Sequence, residues 1–244
     1  MADDKISNII NNNLHGFYSL LAKNLLSETT NEFILLKEYP YQDIMFLKNF
    51  GTKTLNSASF KRTVRNTFPV VVFMNNNSVT SSELKEKGCI PLTRWKGMAI
   101  TVKKNNKKTK SIEIVKVASS YRFRQWENVV KEVFHPSELK PQKLPYSRIY
   151  KNENIKLILG LYNKKPACSG AIFENNNSAG IYFIGTHTDF RGRGLATEFM
   201  IQLMNLTAKK TIVLQATQDG YKIYSKLGFK EYCNFDLYRF MPDE

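Results

Sequence analysis

The stretch of residues 190–197, Phe-Arg-Gly-Arg-Gly-Leu-Ala-Thr, constrains the fold more than any other part of the chain. Residues 179–186 before it form an apolar run rich in β-branched and aromatic residues, which is typical of a buried strand. After it, apolar residues recur over 195–206 at nearly helical spacing. Gly192 and Gly194 therefore stand where a strand leads into a helix. The first amide hydrogens of a helix lack partners and its dipole is positive there, so the stretch predicts an anion site.

The glycines and arginines of this stretch predict a cradle for a pyrophosphate. Gly192 and Gly194 let a phosphate approach the backbone with no Cβ in the way, and Arg191 and Arg193 add positive charge beside it. The spacing differs from the three-glycine fingerprint of dinucleotide-binding folds. The Gly-Lys-Ser/Thr ending of a nucleoside-triphosphate loop is also missing. Neither of those two nucleotide sites is therefore predicted.

Two motifs resemble one enzyme superfamily. Arg191-x-x-Gly194-x-Ala196 resembles the acyl-CoA signature of the GNAT acetyltransferase superfamily, (Gln/Arg)-x-x-Gly-x-(Gly/Ala). Leu-Gln-Ala-Thr at 214–217 and Tyr-Ser-Lys-Leu-Gly-Phe at 224–229 resemble the last strand–helix–strand unit of that superfamily, with its Tyr-x-x-Leu-Gly-Phe ending. The motifs stand in the expected order and at the expected distance, so the chain is identified as a member of the superfamily.

This resemblance implies an α/β (α+β) fold with a GNAT-like mixed central β-sheet flanked by helices. It also implies an N-acetyltransferase that moves an acetyl group from acetyl-CoA to a primary amine by direct attack on the thioester. In the superfamily, the strand before the signature splays away from its neighbour, and its backbone binds pantetheine as an added strand would. The acceptor stays open between a polyamine, an amino acid, an aminoglycoside, another small metabolite and a protein lysine.

The resemblance also assigns the residues that would bind acetyl-CoA. The end of the strand at 179–186 would hold the pantetheine, and the backbone amides of residues 192–197 would hold the pyrophosphate. Thr217 stands where the superfamily often places an Asn that holds the pantetheine, and a threonine replaces it only in part. The cofactor-binding residues so implied are Ile184, Gly185, Thr186, Arg191, Gly192, Arg193, Gly194, Leu195, Ala196, Thr197 and Thr217.

Tyr224 is the catalytic residue that the resemblance implies. It matches the superfamily tyrosine that lies near the thioester sulfur and acts as the general acid. A phenol has a reference pKa of about 10, so it stays protonated and can donate at neutral pH. The alternative is a tyrosine that only packs its helix against the sheet. Tyr221, three residues earlier, is a weaker substitute for the same role.

The general base is not evident, because residues 179–186 contain no Asp or Glu where many members of the superfamily have one. Glu127, Glu153, Glu231 and a chain of waters are the candidates, and nothing in the sequence ranks them. His187 follows the strand directly and is expected to be an exposed loop residue. The missing carboxylate leaves a rival function open, a protein that binds acyl-CoA as a sensor or for docking, without turnover.

A short pattern that occurs twice in the sequence predicts two GNAT-like halves. Gly88 follows a strand and a short helix and precedes a strand containing Met98, and Gly228 and Tyr238 repeat this arrangement 140 residues later. Residues 1–118 are therefore expected to form a degenerate first half, and residues 119–244 the half that binds acyl-CoA. The first half lacks the Arg-x-x-Gly-x-(Gly/Ala) motif, so no CoA is expected there.

The remaining patterns predict individual elements of the two halves. The apolar periodicity of residues 8–27 and 121–134 predicts helices, and short apolar runs predict strands. Residues 136–147 contain three prolines and are expected to be irregular. The further predictions are strands at 33–36, 68–74, 211–216 and 229–240, short helices at 41–50, 81–87 and 219–226, a hairpin of 98–102 with 112–117, and a hairpin of 155–162 with 167–173.

Charge and cysteine content limit the other functional classes. The formal net charge of +15 attracts anions, including CoA or a nucleic acid. The densest basic patch, residues 103–110, has no aromatic residue to stack on a base, so a solvated hairpin tip is favoured over an RNA contact. The three cysteines match no metal spacing and indicate reduced thiols in a cytoplasmic protein. No membrane span and no metal site are expected.

Overall fold

The computed structural model describes residues 2–23, 25–37, 43–75, 79–102, 111–134 and 149–240. Within these residues the strands form one eleven-stranded mixed sheet, and helices flank it, as expected for an α/β chain. The helices are α1 (Ala2–Ala22), α2 (Thr52–Asn56), α3 (Ala58–Thr67), α4 (Ser81–Glu86), α5 (Ser120–Phe134), α6 (Leu195–Leu206) and α7 (Gln218–Lys226). The strands are β1 (Ser27–Thr29), β2 (Phe33–Leu36), β3 (Ile44–Leu47), β4 (Val70–Met74), β5 (Cys89–Thr101), β6 (Glu113–Lys116), β7 (Ile155–Tyr162), β8 (Lys165–Glu174), β9 (Ala179–Thr186), β10 (Thr211–Ala216) and β11 (Lys230–Phe240).

The strand order carries an internal symmetry. The strands lie in the order β1-β2-β3-β4-β11-β5-β10-β9-β8-β7-β6. The strands β1 to β5 of a first repeat correspond, in order, to the strands β7 to β11 of a second. If corresponding strands are treated as equivalent, the strand order from β1 to β7 is the same from either end of the sheet. The pairing follows the same rule, since β3–β4 and β9–β10 are parallel and the other described pairs are antiparallel. The topology therefore repeats, as the recurring sequence pattern indicated.

The two repeats exchange their last strands at the centre of the sheet. The last strand of the first repeat, β5, pairs with β10, and the last strand of the second repeat, β11, pairs with β4. Gly88 and Gly228 end the short helices α4 and α7 that lead into these strands, and both have positive φ angles, of 69° and 94°. The division of the chain at residue 118 stays a prediction.

Two predicted elements are wrong. Residues 41–50 were expected to form a short helix, but Ile44–Leu47 form β3, with all four residues buried. β3 lies between β2 and β4 and is covered on both faces, so its apolar run is continuous and carries no helical period. The hairpin of 98–102 with 112–117 is also absent, because β5 pairs with β10 and β11, whereas β6 pairs with β7.

The other predicted elements fall close to observed ones. The first helix begins earlier than expected and ends at Ala22, and the hairpin of β7 with β8 is confirmed. The basic patch at 103–110 and the proline-rich connection at 136–147 lie outside the described residues. No described helix is both long enough and apolar enough to cross a membrane.

Helices α1 and α5 share one face of the sheet. Their buried side chains, including Phe17 and Trp126, pack in one cluster with strand residues from both repeats, such as Phe46 and Val213. On the opposite face, α6 and α7 pack over the second repeat, and α3 and α4 over the first. Because α1 contacts both β2 and β9, it joins the two repeats over the region where the candidate site lies.

Candidate active site

The parallel strands β9 and β10 separate after their first contacts. They pair only at Ala179 with Ile212 and at Gly180 with Val213. β9 continues to Thr186 and β10 to Ala216 without further pairing between them. This divergence is the splay that was expected of the strand before the glycine motif. It opens a cleft inside the sheet next to the N-terminus of α6.

A β-bulge at Phe183 bends β9 where the cleft opens. Tyr182 lies opposite Ala171 on β8, whereas Gly185 lies opposite Ser169, so β9 carries one residue more than β8 over this interval. Phe183 takes a φ angle of 53°, in the left-handed region that non-glycine residues rarely adopt. Such a conformation costs free energy and persists only where surrounding contacts hold it.

Two buried side chains hold this bulge. The hydroxyl of Ser169 donates a hydrogen bond to the carbonyl oxygen of Phe183 at 2.9 Å. The indole nitrogen of Trp126 donates to the carbonyl oxygen of Gly170 at 3.0 Å. Ser169 and Trp126 are both fully buried, so these bonds satisfy carbonyl groups away from water. Sequence reasoning missed both residues, although a serine within the apolar run 167–173 was a usable signal.

The N-terminus of α6 presents amides without a side-chain cap. Gly194 is the N-cap residue, with a φ angle of 75°, and the helix has no side-chain cap hydrogen bond in the described part of the chain. Gly192 has a φ angle of 77°. Both glycines adopt the left-handed conformation that glycine takes without steric cost. The backbone amides of Leu195 and Ala196 lie in the first turn of this twelve-residue helix, where an anion is stabilised.

A cavity of about 670 Å³, the α6 cavity, runs from this helix N-terminus to Tyr224. Ten of the eleven cofactor-binding residues expected from the sequence line it. They are Ile184, Gly185, Thr186, Arg191, Gly192, Gly194, Leu195, Ala196, Thr197 and Thr217. Arg193 does not line the cavity; its guanidinium lies over the ring of Tyr162, at 5.9 Å from the centroid.

Arg191 and Thr217 are each held by one hydrogen bond at the rim of the α6 cavity. The Nε atom of Arg191 donates to the carbonyl oxygen of Thr186 at 3.1 Å, which ties the glycine loop to the end of β9. The hydroxyl of Thr217 caps α7 and accepts from the amide of Gly220 at 3.4 Å. As an acceptor in this bond, the threonine keeps its own proton free to donate.

Tyr224 lies at the inner end of the α6 cavity. It is 9% exposed, and burial raises the pKa of its phenol to about 12. Its ring packs over Gly220, where an added Cβ would lie 2.7 Å from the Cε2 atom of Tyr224. The tyrosine is therefore fixed in place and protonated over the physiological pH range. Tyr221 is 37% exposed and lies outside the lining of this cavity.

A second cavity of about 310 Å³, the interstrand cavity, lies between the separated strands. It shares Phe134, Ile184, Thr217 and Tyr224 with the α6 cavity. Its other lining residues come from α1, β3, β5, α5, β9 and β10, and are Tyr18, Ile44, Trp95, Val130, Ile181, Tyr182, Phe183, Leu214 and Gln215. Tyr224 therefore stands between the two spaces.

The candidate bases named from the sequence do not line either cavity. Glu127 forms an ion pair with Lys131 at 3.3 Å, and Glu231 forms one with Lys96 at 2.8 Å. Glu153 lies at another surface pocket. His187 accepts a hydrogen bond from the amide of Asp189 through Nδ1. Asp219 is the acidic residue among the described lining of the α6 cavity, and the described lining of the interstrand cavity has none.

A comparison with family models finds one match that spans the cleft. The model described as an acetyltransferase (GNAT) domain matches residues 111–236. That range contains β6 to β10, α5 to α7 and most of β11, and so includes the whole lining of the α6 cavity. A search of curated proteins finds no match to the sequence.

Solved structures with this fold cover nearly the whole chain. A GCN5-related N-acetyltransferase from Kribbella flavida is 11% identical and has a TM-score of 0.63, over 93% of this chain and 95% of that one. One from Sphaerobacter thermophilus is 14% identical with a TM-score of 0.64, over 85% and 75%. A GCN5-related N-acetyltransferase-like protein from Streptococcus suis is 14% identical with a TM-score of 0.53, over 86% and 83%. At these identities the likeness shows the fold alone.

Proposed function

Because the chain belongs to the GNAT acetyltransferase family, we propose that it transfers an acetyl group from acetyl-CoA to a primary amine. One observation carries the proposal: the α6 cavity joins the uncapped N-terminus of α6 to a buried, protonated tyrosine. Such a cavity suits acetyl-CoA, because the pantetheine arm of that molecule connects its diphosphate to its thioester.

The residues around the α6 cavity fit acetyl-CoA in three places. Amides of the first turn of α6 would bind the pyrophosphate, with Arg191 adding charge beside them. The backbone of β9 from Ile184 to Thr186 faces the cleft without pairing to β10, so it is free to bond the pantetheine as an added strand would. The hydroxyl of Thr217 would donate to the same arm.

The proposed chemistry is direct attack of the amine on the thioester carbonyl. The C–N bond forms and the C–S bond breaks, and Tyr224 gives its proton to the departing CoA thiolate. The attacking amine loses one proton to solvent, and the phenolate of Tyr224 then takes a proton back from solvent, which restores the enzyme. Cys168 and Cys233 are poor nucleophiles for a covalent route, because burial raises the pKa of their thiols to about 11 and about 12.

Calorimetric titration of the full-length protein with acetyl-CoA tests this function, followed by an assay of CoA thiol release with a panel of amines. We expect binding with a Kd in the micromolar range and thiol release that depends on the amine. Absence of heat and of a thermal shift at millimolar acetyl-CoA would overturn the proposal. Desulfo-CoA serves as the control, because it retains the diphosphate and pantetheine and cannot be acylated.

A second function is favoured by one observation, the lack of an acidic residue in the described lining of the interstrand cavity. A protein that binds acyl-CoA without turnover needs no base to deprotonate an amine. Binding of acetyl-CoA with no thiol release for any amine would support this sensor.

Two further expectations belong to the same proposal. Residues 119–244 would form the half that binds acyl-CoA, with residues 1–118 as a degenerate copy. The three cysteines, Cys89, Cys168 and Cys233, form no disulfide bond among the described residues, which suits a reducing cytoplasm.

A further inference from the structure

We propose that the acceptor is a small arylalkylamine, one aromatic ring joined by a short chain to a primary amine, without a second positive charge. This inference rests on the proposed function, since it assigns the acceptor to the interstrand cavity. The two cavities meet at Phe134, Ile184, Thr217 and Tyr224. If acetyl-CoA occupies the α6 cavity, its acetyl end lies at that junction, and the interstrand cavity is the space from which an amine reaches it.

The described walls of the interstrand cavity are aromatic and aliphatic for the most part, and uncharged. Six aromatic rings line it, those of Tyr18, Trp95, Phe134, Tyr182, Phe183 and Tyr224. None of its described lining residues is an Asp, Glu, Lys, Arg or His. Aromatic pairs gain free energy at centroid distances of about 4.5–7 Å beyond the burial of their area. A ring therefore gains more here than a bare alkyl chain does.

The polar end of Tyr182 is directed away from any ligand. Its hydroxyl donates to the Oδ1 atom of Asn13 at 2.7 Å, and the Nδ2 atom of Asn13 donates to the hydroxyl of Ser178 at 3.0 Å. Burial raises the pKa of Tyr182, so this hydroxyl stays protonated. Tyr182 thus presents its ring, and not an acceptor oxygen, to the interstrand cavity.

The rings are held in place before a ligand arrives. Phe17 stacks on Tyr182 with ring centroids 3.8 Å apart, and Phe46 stacks on Tyr18 at 3.7 Å. A wall that is already packed loses little conformational entropy on binding. Such a wall selects a ligand by shape and apolar area.

Charge and size exclude other acceptor classes. A polyamine or aminoglycoside would bring several ammonium groups against a lining whose described residues include no carboxylate, and an unpaired buried charge is costly. A volume of about 310 Å³ is at the small end of ligand pockets. A single small amine can enter as the neutral base, because an apolar site lowers the pKa of an ammonium group.

The first half of the chain supplies part of this wall. Tyr18 on α1, Ile44 on β3 and Trp95 on β5 all precede residue 118. The half without the acyl-CoA motif therefore contributes to choosing the acceptor.

The test measures CoA thiol release by the full-length protein with acetyl-CoA and one of three amines. The amines are 2-phenylethylamine, spermidine and a lysine-containing dipeptide. We expect kcat/KM for 2-phenylethylamine to exceed the other two by about tenfold or more. The Trp95→Ala variant should raise KM for 2-phenylethylamine about tenfold and leave KM for acetyl-CoA within about twofold. Tyr121→Ala, which removes an exposed ring outside both cavities, is the matched control and should change neither KM.

A measurement on the unaltered protein keeps the inference testable if Trp95→Ala does not fold. 2-Phenylethanol has the ring and chain but no amine, and should inhibit competitively against the amine and not against acetyl-CoA. Acetyl-CoA binding with spermidine or the dipeptide preferred would overturn the inference alone, whereas acetyl-CoA binding with no amine acetylated would overturn both the inference and the proposed acetyl transfer. Failure to bind acetyl-CoA would overturn the proposed function and this inference with it.

Discussion

The hydroxyl of Ser169 on β8 donates a hydrogen bond to the carbonyl oxygen of Phe183, the bulged residue of β9, at 2.9 Å. A bulge disrupts the ladder locally and leaves a backbone group to be paired in another way. Here a side chain of the neighbouring strand pairs it, and Phe183 keeps its positive φ angle. The bend of β9 that opens the cleft therefore depends on a residue that lines neither cavity.

We expect Ser169→Ala to lower the free energy of unfolding by about 1–3 kcal/mol, because the buried carbonyl of Phe183 loses its donor. The Kd for acetyl-CoA should rise as well, since we propose that β9 binds the pantetheine. Chemical denaturation and calorimetry measure the two effects. Ser225→Ala, on the exposed side of α7, is the control. If Ser169→Ala behaves as this control does, the hydrogen bond has no role in holding the bulge.

Tyr224→Phe removes the proposed general acid and keeps the ring. We expect kcat to fall about a hundredfold, the usual size of one acid–base contribution, with little change in the Kd for acetyl-CoA. Tyr221→Phe makes the same chemical change on a more exposed residue outside both cavities and should leave kcat unaltered. Thiol release under saturating acetyl-CoA measures the difference. Equal rates for Tyr224→Phe and the unaltered enzyme would assign Tyr224 to packing alone.

Gly194→Ala places a Cβ on the N-cap residue of α6 at a φ angle of 75°. No atom lies within 4 Å of that Cβ, so the substitution strains the backbone without a clash in the protein. The strain costs about 1 kcal/mol, and we expect the Kd for acetyl-CoA to rise about tenfold as the cradle relaxes. Gly228→Ala, at a φ angle of 94° and outside the lining of both cavities, should lower the melting temperature without changing this Kd. Equal effects of the two variants on the Kd would contradict the cradle.

Arg191 and Arg193 should differ in their effect on acetyl-CoA binding. Arg191 lines the α6 cavity, whereas Arg193 lies over Tyr162 and outside the lining. We expect Arg191→Ala to raise the Kd about fivefold and to weaken its dependence on salt, since one charge beside the diphosphate is lost. Arg193→Ala should have a smaller effect at every salt concentration. Titrations at low and high ionic strength measure both, and the reverse order would mean that Arg193 binds the diphosphate.

The value of kcat/KM should rise with pH and should not decline until the phenol of Tyr224 loses its proton. Burial raises the pKa of Tyr224 to about 12, so the acid is present at every pH below that value and is lost only above it. The reactive form of the amine is the free base, whose fraction grows until pH exceeds the pKa of the amine, about 10 for an alkylamine. We therefore expect kcat/KM to increase between about pH 6 and pH 9 with no fall below about pH 11. A fall between about pH 8 and pH 10 in the unaltered enzyme, absent in Tyr224→Phe, would show that the phenol titrates near its ordinary pKa.

The local elements were predictable because they depend on neighbours in the chain. An apolar run, two glycines and a helical period within residues 179–206 suffice to predict β9, the glycine turn and α6 in order. The lining of the α6 cavity follows, since most of it comes from this stretch and from the start of α7. The local pattern predicted a helix where β3 lies. Burial on both faces of the sheet removes the alternation of apolar and polar residues by which a strand is recognised.

The sequence by itself determined the glycine turn before α6 and the family, because both depend on short motifs of neighbouring residues. The tertiary structure decided the pairing of β5 with β10, the bulge held by Ser169, and the walls of the interstrand cavity. Each of these features depends on contacts between residues of different strands or helices, which a local sequence pattern does not specify. Hydrophobic burial is non-directional, so apolar runs alone do not specify which strands become neighbours; the packing of the whole sheet does.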